Sequence, residues 1–389
     1  MPWRVQTPMT ARRDFIEDWL RGLYSMTELC ARYGISRRVG YKVRWRFESS
    51  GLAGLDDQPR TPHHSPTQMP AEIAAALLAA RRAHPTWGPR KLLPYLQRRQ
   101  PGWRWPVAST VGELLRRHGL VATRRRRPQP GHPGRPTSSI DAPNTVWTAD
   151  FKGHFRLGCG AYCYPLTVVD AYSRYFLGCQ ALAGPTHDLT RPVFERLFRE
   201  YGLPERLRSD NGAPFATCAL GRLSRLSLWW LKLGILPELI EPAHPEQNGR
   251  HERLHKTLKA EATKPPRATF GAQQRCFTTF RQEYNEERPH EALAQWPPAT
   301  AYVSSARPYP TRVAPFEYPA HFERRRVSRN GGIRWQKQWV NVSHVLAEED
   351  VGLEEVADRT WSVYIGPLLL GRFDEREGRI HGAHNRNRL

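Results

Sequence analysis

Apolar residues near the start of the chain fall at helical spacing: Phe15, Ile16, Trp19, Leu20 and Leu23. The stretch SMTELCARYGISRRVGYKVRWRFE follows. Ser25 is placed to cap a helix running through Ala31, Tyr33-Gly34-Ile35 reads as a tight turn, and Ser36 caps the next helix. On that helix the spacing puts Val39, Val43 and Phe47 on one face, with Arg37, Tyr41 and Arg44 elsewhere. The pattern predicts a helix-turn-helix over residues 1–50. Gly and Pro then mark a linker over 51–66, with Arg60 near its end. Three more helical stretches, AEIAAALLAARRAHP, TWGPRKLLPYLQRR and VASTVGELLRRHGL, predict a second helix-turn-helix or winged-helix unit over 67–122.

The periodicity changes after a linker at 123–140. In NTVWTADFKGHF, Trp147, Ala149 and Phe151 alternate with Thr148, Asp150 and Lys152, the period of a strand. Two further strands, AYCYPLTVVDAY and RYFLGCQALAG, precede a helix (LTRPVFERLFREYG). A short strand (ERLRSD), an apolar segment read as one long helix (LGRLSRLSLWWLKLG), a strand (ILPELIEP) and a basic helix complete the order. Mixed strands and helices predict an α/β core over 141–303. Short strands with Gly turns predict a small β-barrel over 304–380, and 381–389 reads as a disordered tail.

Charge adds a partner. The 389 residues hold 59 Lys and Arg against 37 Asp and Glu, a net +22. Residues 1–140 carry 25 of the basic and 9 of the acidic residues, so the excess is concentrated there. Such an excess points to a polyanion, nucleic acid above all. Arg37, Arg38, Tyr41, Lys42 and Arg44 on the second helix suit a major groove, and the run Arg124, Arg125, Arg126, Arg127 suits phosphate tracking. No stretch is long and apolar enough to span a membrane and the start lacks an apolar signal region, which favours the cytoplasm. Six scattered cysteines, of which only Cys159 and Cys163 lie close, predict reduced thiols without structural zinc.

Three carboxylates stand out. Asp150 sits mid-strand among apolar neighbours, Asp210 ends a strand before an Asn-Gly turn, and Glu252 lies one turn into the basic helix. Lys256 and Lys259 share the face of Glu252, while Leu254 and Leu258 point the other way. Each acid alone has a plain reading: a buried ion-pair member, a turn former, an i,i+4 partner of Lys256. As a set from different elements they can hold two Mg²⁺ (or Mn²⁺) ions, hard cations that take oxygen ligands and assist phosphodiester displacement. Lys256 and Lys259 then hold the DNA backbone beside them.

At these residues the chain resembles a known family. WTADFKG, LRSDNGAPF and HPEQNGRHERLHKTLKAE, with VVDAYSRY and YNEERPHEAL, look like the blocks of bacterial insertion-sequence transposases. The core of these enzymes is similar to that of retroviral integrase, a ribonuclease-H-like fold with an Asp-Asp-Glu triad. By position the resemblance implies catalytic roles for Asp150, Asp210 and Glu252. It also implies binding to terminal inverted repeats, cleavage that leaves 3′-hydroxyl ends, joining to target DNA, and a homo-oligomer. The 41 residues between Asp210 and Glu252 are more than the family usually has, and a shorter spacing would select Glu246. Glu252 is preferred because it follows Asn248-Gly249 as in the family. His244, Asn248, Arg250, His251 and His255 are expected either as neighbours of the site or as caps and packing. Asp170 and Arg174 are expected to form a structural turn, and Tyr284, Arg288 and His290 to hold the end of the core. The alternatives are a DNA-binding regulator without enzymatic activity and a structure-selective nuclease.

Overall fold

The computed structural model describes residues 7–57, 68–121, 139–240 and 249–383. It divides into two compact units, Met1–Met69 and Pro70–Leu389. In the first, α1 (Pro8–Leu20), α2 (Met26–Arg32) and α3 (Arg37–Ser50) form the expected three-helix unit. Ser25 and Glu28 make a reciprocal capping box on α2, and Ser36 accepts the Val39 N–H at the start of α3. The core joins Phe15, Ile16, Leu29, Cys30, Val43 and Leu55. The expected faces need two corrections. Val39 is exposed and Gly40 takes the inward place, because α3 lies so close to α2 that a Cβ at Gly40 would collide with the Cys30 Sγ. The apolar stripe of α1 also stops short, since Leu20 and Leu23 are exposed.

The second unit begins with α4 (Ala71–Ala83), α5 (Pro89–Arg99) and α6 (Ala108–Arg117). Trp87, Leu92, Val111 and Leu115 are fully buried within it. These helices dock on the α/β core rather than standing apart. His84 Nδ1 lies 2.7 Å from Glu283, and Arg98 donates to the Gln295 carbonyl at 2.8 Å. Thr86 bonds Glu261, and the Arg288 guanidinium lies 5.7 Å from the Trp87 ring centre.

The core sheet uses β1 (Val146–Phe151), β2 (Phe155–Arg156), β3 (Tyr162–Asp170), β4 (Phe176–Leu182), β5 (Arg206–Ser209) and β6 (Leu236–Leu239). Its order is β4-β3-β1-β5-β6, with β2 pairing the start of β3. The β3·β4 and β3·β1 pairs are antiparallel, and β1·β5 and β5·β6 are parallel. Helices α7 (His187–Tyr201) and α8 (Arg225–Lys232) cover one face, where Trp147, Ala149, Leu166 and Val168 meet Phe194, Phe198 and Trp230. Helices α9 (Gly249–Glu261) and α10 (Phe270–Glu286) cover the other, where Val169, Phe176 and Cys179 meet Leu254, Leu258 and Phe277. The alternation of β1 therefore aims Thr148 and Asp150 at α9.

The segment read as one long helix is not one. A 3₁₀ turn at Leu220–Arg222 precedes α8, which starts only at Arg225 behind a Ser224–Ser227 capping box. Its apolar residues serve two cores. Leu226, Trp229 and Trp230 face the α/β core, while Leu223, Leu228 and Leu231 join the C-terminal β unit. Gly221, at φ +67°, brings this turn against Leu370. The extra length between Asp210 and Glu252 thus serves to dock the last unit.

That unit is a five-stranded antiparallel sheet of β7 (Glu323–Arg326), β10 (Asp350–Ala357), β11 (Thr360–Ile365), β12 (Leu368–Asp374) and β13 (Arg379–Gly382). A separate hairpin pairs β8 (Gly332–Trp335) with β9 (Gln338–Asn341). The expected closed barrel does not form, since both sheets are open. The apolar face of Val351, Leu353, Val363, Leu370 and Phe373 is covered by Ile333, Trp335 and Val340 of the hairpin and by α8. A face buried in this way has no need of closure.

Candidate active site

Asp150 lies on β1 and Asp210 follows β5, its parallel neighbour, in which Ala149 pairs with Ser209. The two acids therefore sit side by side at the carboxyl ends of adjacent strands, where open α/β sheets bind ligands. Their carboxyls strain against each other. Burial first, then the charge of Asp210 and to a lesser extent Glu252, push Asp150 up to about 7. The Phe151 N–H and nearby Lys152 oppose this. Burial also raises Asp210, which accepts the Gly212 N–H. Two carboxylates held together out of water favour a shared cation.

Glu252 stands on α9 beside this pair, exposed together with Lys256 and Lys259, while Leu254 and Leu258 are buried as the spacing predicts. It acts on Asp150 through its charge. Among the described residues no three His, Cys, Asp or Glu side chains close on one point as a metal requires. The aspartates come together, and Glu252 remains on the solvent side of them. Glu246, His244 and Asn248 lie outside the described residues, as do Arg60 and Arg124–Arg127.

The inner face of α9 carries two imidazoles, His251 and His255, one turn apart and buried. Both meet the Thr167 hydroxyl, at 2.6 Å and 2.8 Å through Nε2. Thr167 pairs with Asp150 across β1·β3 and donates to its carbonyl at 2.9 Å. Thr148 bonds the other nitrogen of His251 at 2.9 Å. Burial lowers His251 to about 3; burial, then the charges of His251 and Lys152, lowers His255 to about 2. Both rings are therefore neutral over the physiological range. Sequence reasoning left their role open and missed Thr148 and Thr167. The available signal was two histidines inside the apolar stripe of Leu254, Leu258 and Ala262.

The structure also places the other residues singled out in the sequence. Asp170 is fully buried and accepts the N–H groups of Asn144 and Ser173, each at 2.8 Å, as a structural turn requires. Arg288 bonds Glu261 through both carboxylate oxygens, and Tyr284 meets His290 edge-on. On α3, Arg37, Arg38, Tyr41 and Lys42 are exposed, but Arg44 is engaged with Glu48 at 2.9 Å and lies over the Trp19 ring. Among the described residues no helix is long and apolar enough to cross a membrane.

Comparison with known proteins agrees with this architecture. Residues 141–245 and 233–298 match models of the integrase core domain. Residues 11–63 match a helix-turn-helix domain and residues 39–115 a homeodomain-like domain. The uncharacterized 31.7 kDa protein of insertion element IS407 from Burkholderia multivorans is 30% identical over 185 residues, 47% of this chain and 64% of that protein. The alignment thus spans less than two thirds of that relative. The uncharacterized 39.2 kDa protein of insertion element IS476 from Xanthomonas euvesicatoria is 26% identical over 291 residues, 73% of this chain and 79% of that protein. A simian T-cell lymphotropic virus intasome structure covers 76% of this chain and 97% of its own, with a TM-score of 0.37 and 16% identity. The chain carries helix-turn-helix domains ahead of an integrase core domain, and proteins of bacterial insertion elements are its homologues.

Proposed function

We propose that this chain is a DNA transposase that binds the ends of its element, cuts them to leave 3′-hydroxyls and joins those to target DNA. The observation that carries the reading is the buried, mutually repelling pair Asp150 and Asp210 at adjacent strand ends, with Glu252 on the helix alongside. All three offer the oxygen donors that Mg²⁺ or Mn²⁺ prefer, and two such ions would be held by Asp150, Asp210 and Glu252. When bound, such ions lower the pKa of an attacking hydroxyl and offset charge on a leaving oxygen. Lys256 and Lys259, on the exposed face with Glu252, hold the DNA backbone next to the carboxylates. The α3 residues Arg37, Arg38, Tyr41 and Lys42 enter the major groove and read the end, with Arg44 supporting them through Trp19. Holding two ends at once calls for at least two copies of the chain.

The test is direct. Purified protein with Mg²⁺ and a labelled element end is expected to nick the DNA. Asp150→Asn is expected to lose nicking by a factor on the order of 10³ or more while retaining end binding. Nicking by the Asn variant at the wild-type rate would remove Asp150 from the reaction. Binding by the wild-type chain without any metal-dependent cleavage would reduce it to a DNA-binding regulator, and cleavage without joining would leave a nuclease.

A further inference from the structure

Asp150 Oδ2 lies 3.6 Å from Nδ1 of His255. That is too long for an N–H···O hydrogen bond, although both groups are largely buried and face each other. The cause lies on the other side of the ring, at Thr167. Its hydroxyl reaches three partners: the Asp150 carbonyl at 2.9 Å, His251 Nε2 at 2.6 Å and His255 Nε2 at 2.8 Å. A hydroxyl has one hydrogen and two lone pairs. The carbonyl can only accept, so it takes the hydrogen. The two lone pairs remain, and each can be filled only by an Nε2–H. Both imidazoles must then be Nε2–H tautomers.

His251 is compatible with this. Its Nδ1 becomes a bare acceptor and faces the Thr148 hydroxyl at 2.9 Å, the shorter of that hydroxyl's two acceptor contacts, the other being the Val169 carbonyl at 3.4 Å. The same assignment at His255 leaves a lone pair pointing at a carboxylate oxygen, and 3.6 Å is the spacing of two acceptors that do not bond.

We propose that Thr167 is a positioning residue that locks His251 and His255 as Nε2–H tautomers and so turns an imidazole lone pair onto the Asp150 carboxylate. Two consequences follow. Helix α9 is pinned at two points one turn apart, to β1 through Thr148 and to β3 through Thr167, which fixes the height of Glu252 relative to Asp150. The helix also withholds a hydrogen-bond donor from Asp150, so that this oxygen stays open to a cation. Had His255 presented an N–H, it would compete with a metal for the same lone pair. This second consequence rests on the metal reading of Asp150 given above, whereas the tautomer assignment does not.

Two measurements test it. The first is ¹⁵N NMR of the histidine rings in the full chain, in mildly alkaline metal-free buffer. Each ring is assigned by the loss of its signals in His251→Gln or His255→Gln. Both rings are expected to show a protonated Nε2 and a bare Nδ1; a protonated Nδ1 on His255 overturns the proposal. The second is binding of Mn²⁺ alone to wild type, Thr167→Val and Thr167→Ser. Thr167→Val, which loses the hydroxyl at nearly constant volume, is expected to weaken Mn²⁺ by about tenfold or more. Thr167→Ser, which keeps the hydroxyl, is expected to stay within about twofold of wild type. Equal Mn²⁺ affinity in the valine variant overturns the link between Thr167 and the site. If wild type shows both Nε2–H rings yet binds no Mn²⁺, the metal reading fails and the tautomer assignment stands. The wild-type spectra decide that assignment even where the valine variant does not fold.

Discussion

Asp150 is destabilising in the metal-free chain. Burial and the neighbouring Asp210 hold its carboxyl at about 7, against an ordinary 3.8. Above both values the group is charged folded or unfolded, and the folded chain bears the whole penalty. The difference corresponds to about 4 kcal/mol, which relaxation and partial solvent access reduce to about 1–3 kcal/mol. In metal-free buffer at about pH 8, Asp150→Asn is therefore expected to melt above wild type. Added Mg²⁺ is expected to raise the wild-type midpoint and leave the variant unmoved. Identical melting of the two proteins with and without Mg²⁺ would mean that the carboxylates do not confront each other. His290 gives a second residue-scale expectation, of opposite sign. Burial, with the charges of Lys91, Arg288 and Arg174, holds it down to about 3, below its ordinary 6.5. Between those values the unfolded chain takes a proton that the folded chain refuses. Stability conferred by the neutral ring is complete above 6.5 and drains away as the pH falls towards 3, by at most about 1.4 kcal/mol per pH unit. In denaturant unfolding across this range, His290→Gln is expected to show a shallower acid limb than wild type. Parallel limbs would show that the ring is solvated.

At the scale of elements, α8 links two cores. Leu231 sits in the C-terminal core and Trp230 in the α/β core, though they are adjacent in sequence. Either truncation to alanine costs about 2–5 kcal/mol, but the damage should differ in place. In limited proteolysis, Leu231→Ala is expected to release the β7–β13 unit and leave the strands and helices of the α/β core resistant. Trp230→Ala is expected to expose the α/β core itself. The same fragments from both variants would show that α8 does not divide its faces. This helix also marks the limit of what the chain's pattern discloses. Helix α9 was legible because its stripe is one-sided: Glu252, Lys256 and Lys259 outward, Leu254 and Leu258 inward. Helix α8 buries Leu226, Leu228, Trp229, Trp230 and Leu231 on more than one side, and no periodicity says that two partners share it. The strands after residue 320 alternate clearly, but whether edge strands meet depends on what covers their apolar face, a fact remote in sequence; hence the expected barrel and the observed open sheets. In α3 the inward place of Gly40 was illegible, because a glycine shows no preference until Cys30 approaches it. At the site, Asp150 was legible as an acid within an apolar strand. The Thr167–histidine cluster was not, because it requires the β1·β3 register and the seating of α9 at once.

At the scale of the molecule, charge and compactness divide differently. Residues 1–69 form a unit by themselves but hold only 11 of the 59 Lys and Arg, against 7 Asp and Glu. The remainder, with +18 of the +22, keeps most of the attraction for phosphate. Helices α4–α6 belong with this remainder, tied by His84–Glu283 and Thr86–Glu261 to α10 and α9 and by Arg98–Gln295 to the turn beyond α10. A chain of residues 70–389 is therefore expected to fold with the Mg²⁺ response of the full chain. Its affinity for random duplex should fall little, because non-specific binding follows the number of phosphates neutralised. The slope of log K against log salt should drop by only a few units, at about 0.9 for each phosphate no longer neutralised. What it should lose is preference. The exposed Arg37, Arg38, Tyr41 and Lys42 lie on α3, and base readout needs side chains at the base edges rather than net charge. Titrating an element end and a random duplex against both proteins over a range of salt separates the two terms. A truncated chain that still discriminates by the full ratio, on the order of 10³ or more for a specific binder, would place end recognition in α4–α6 and leave the first helix-turn-helix another task.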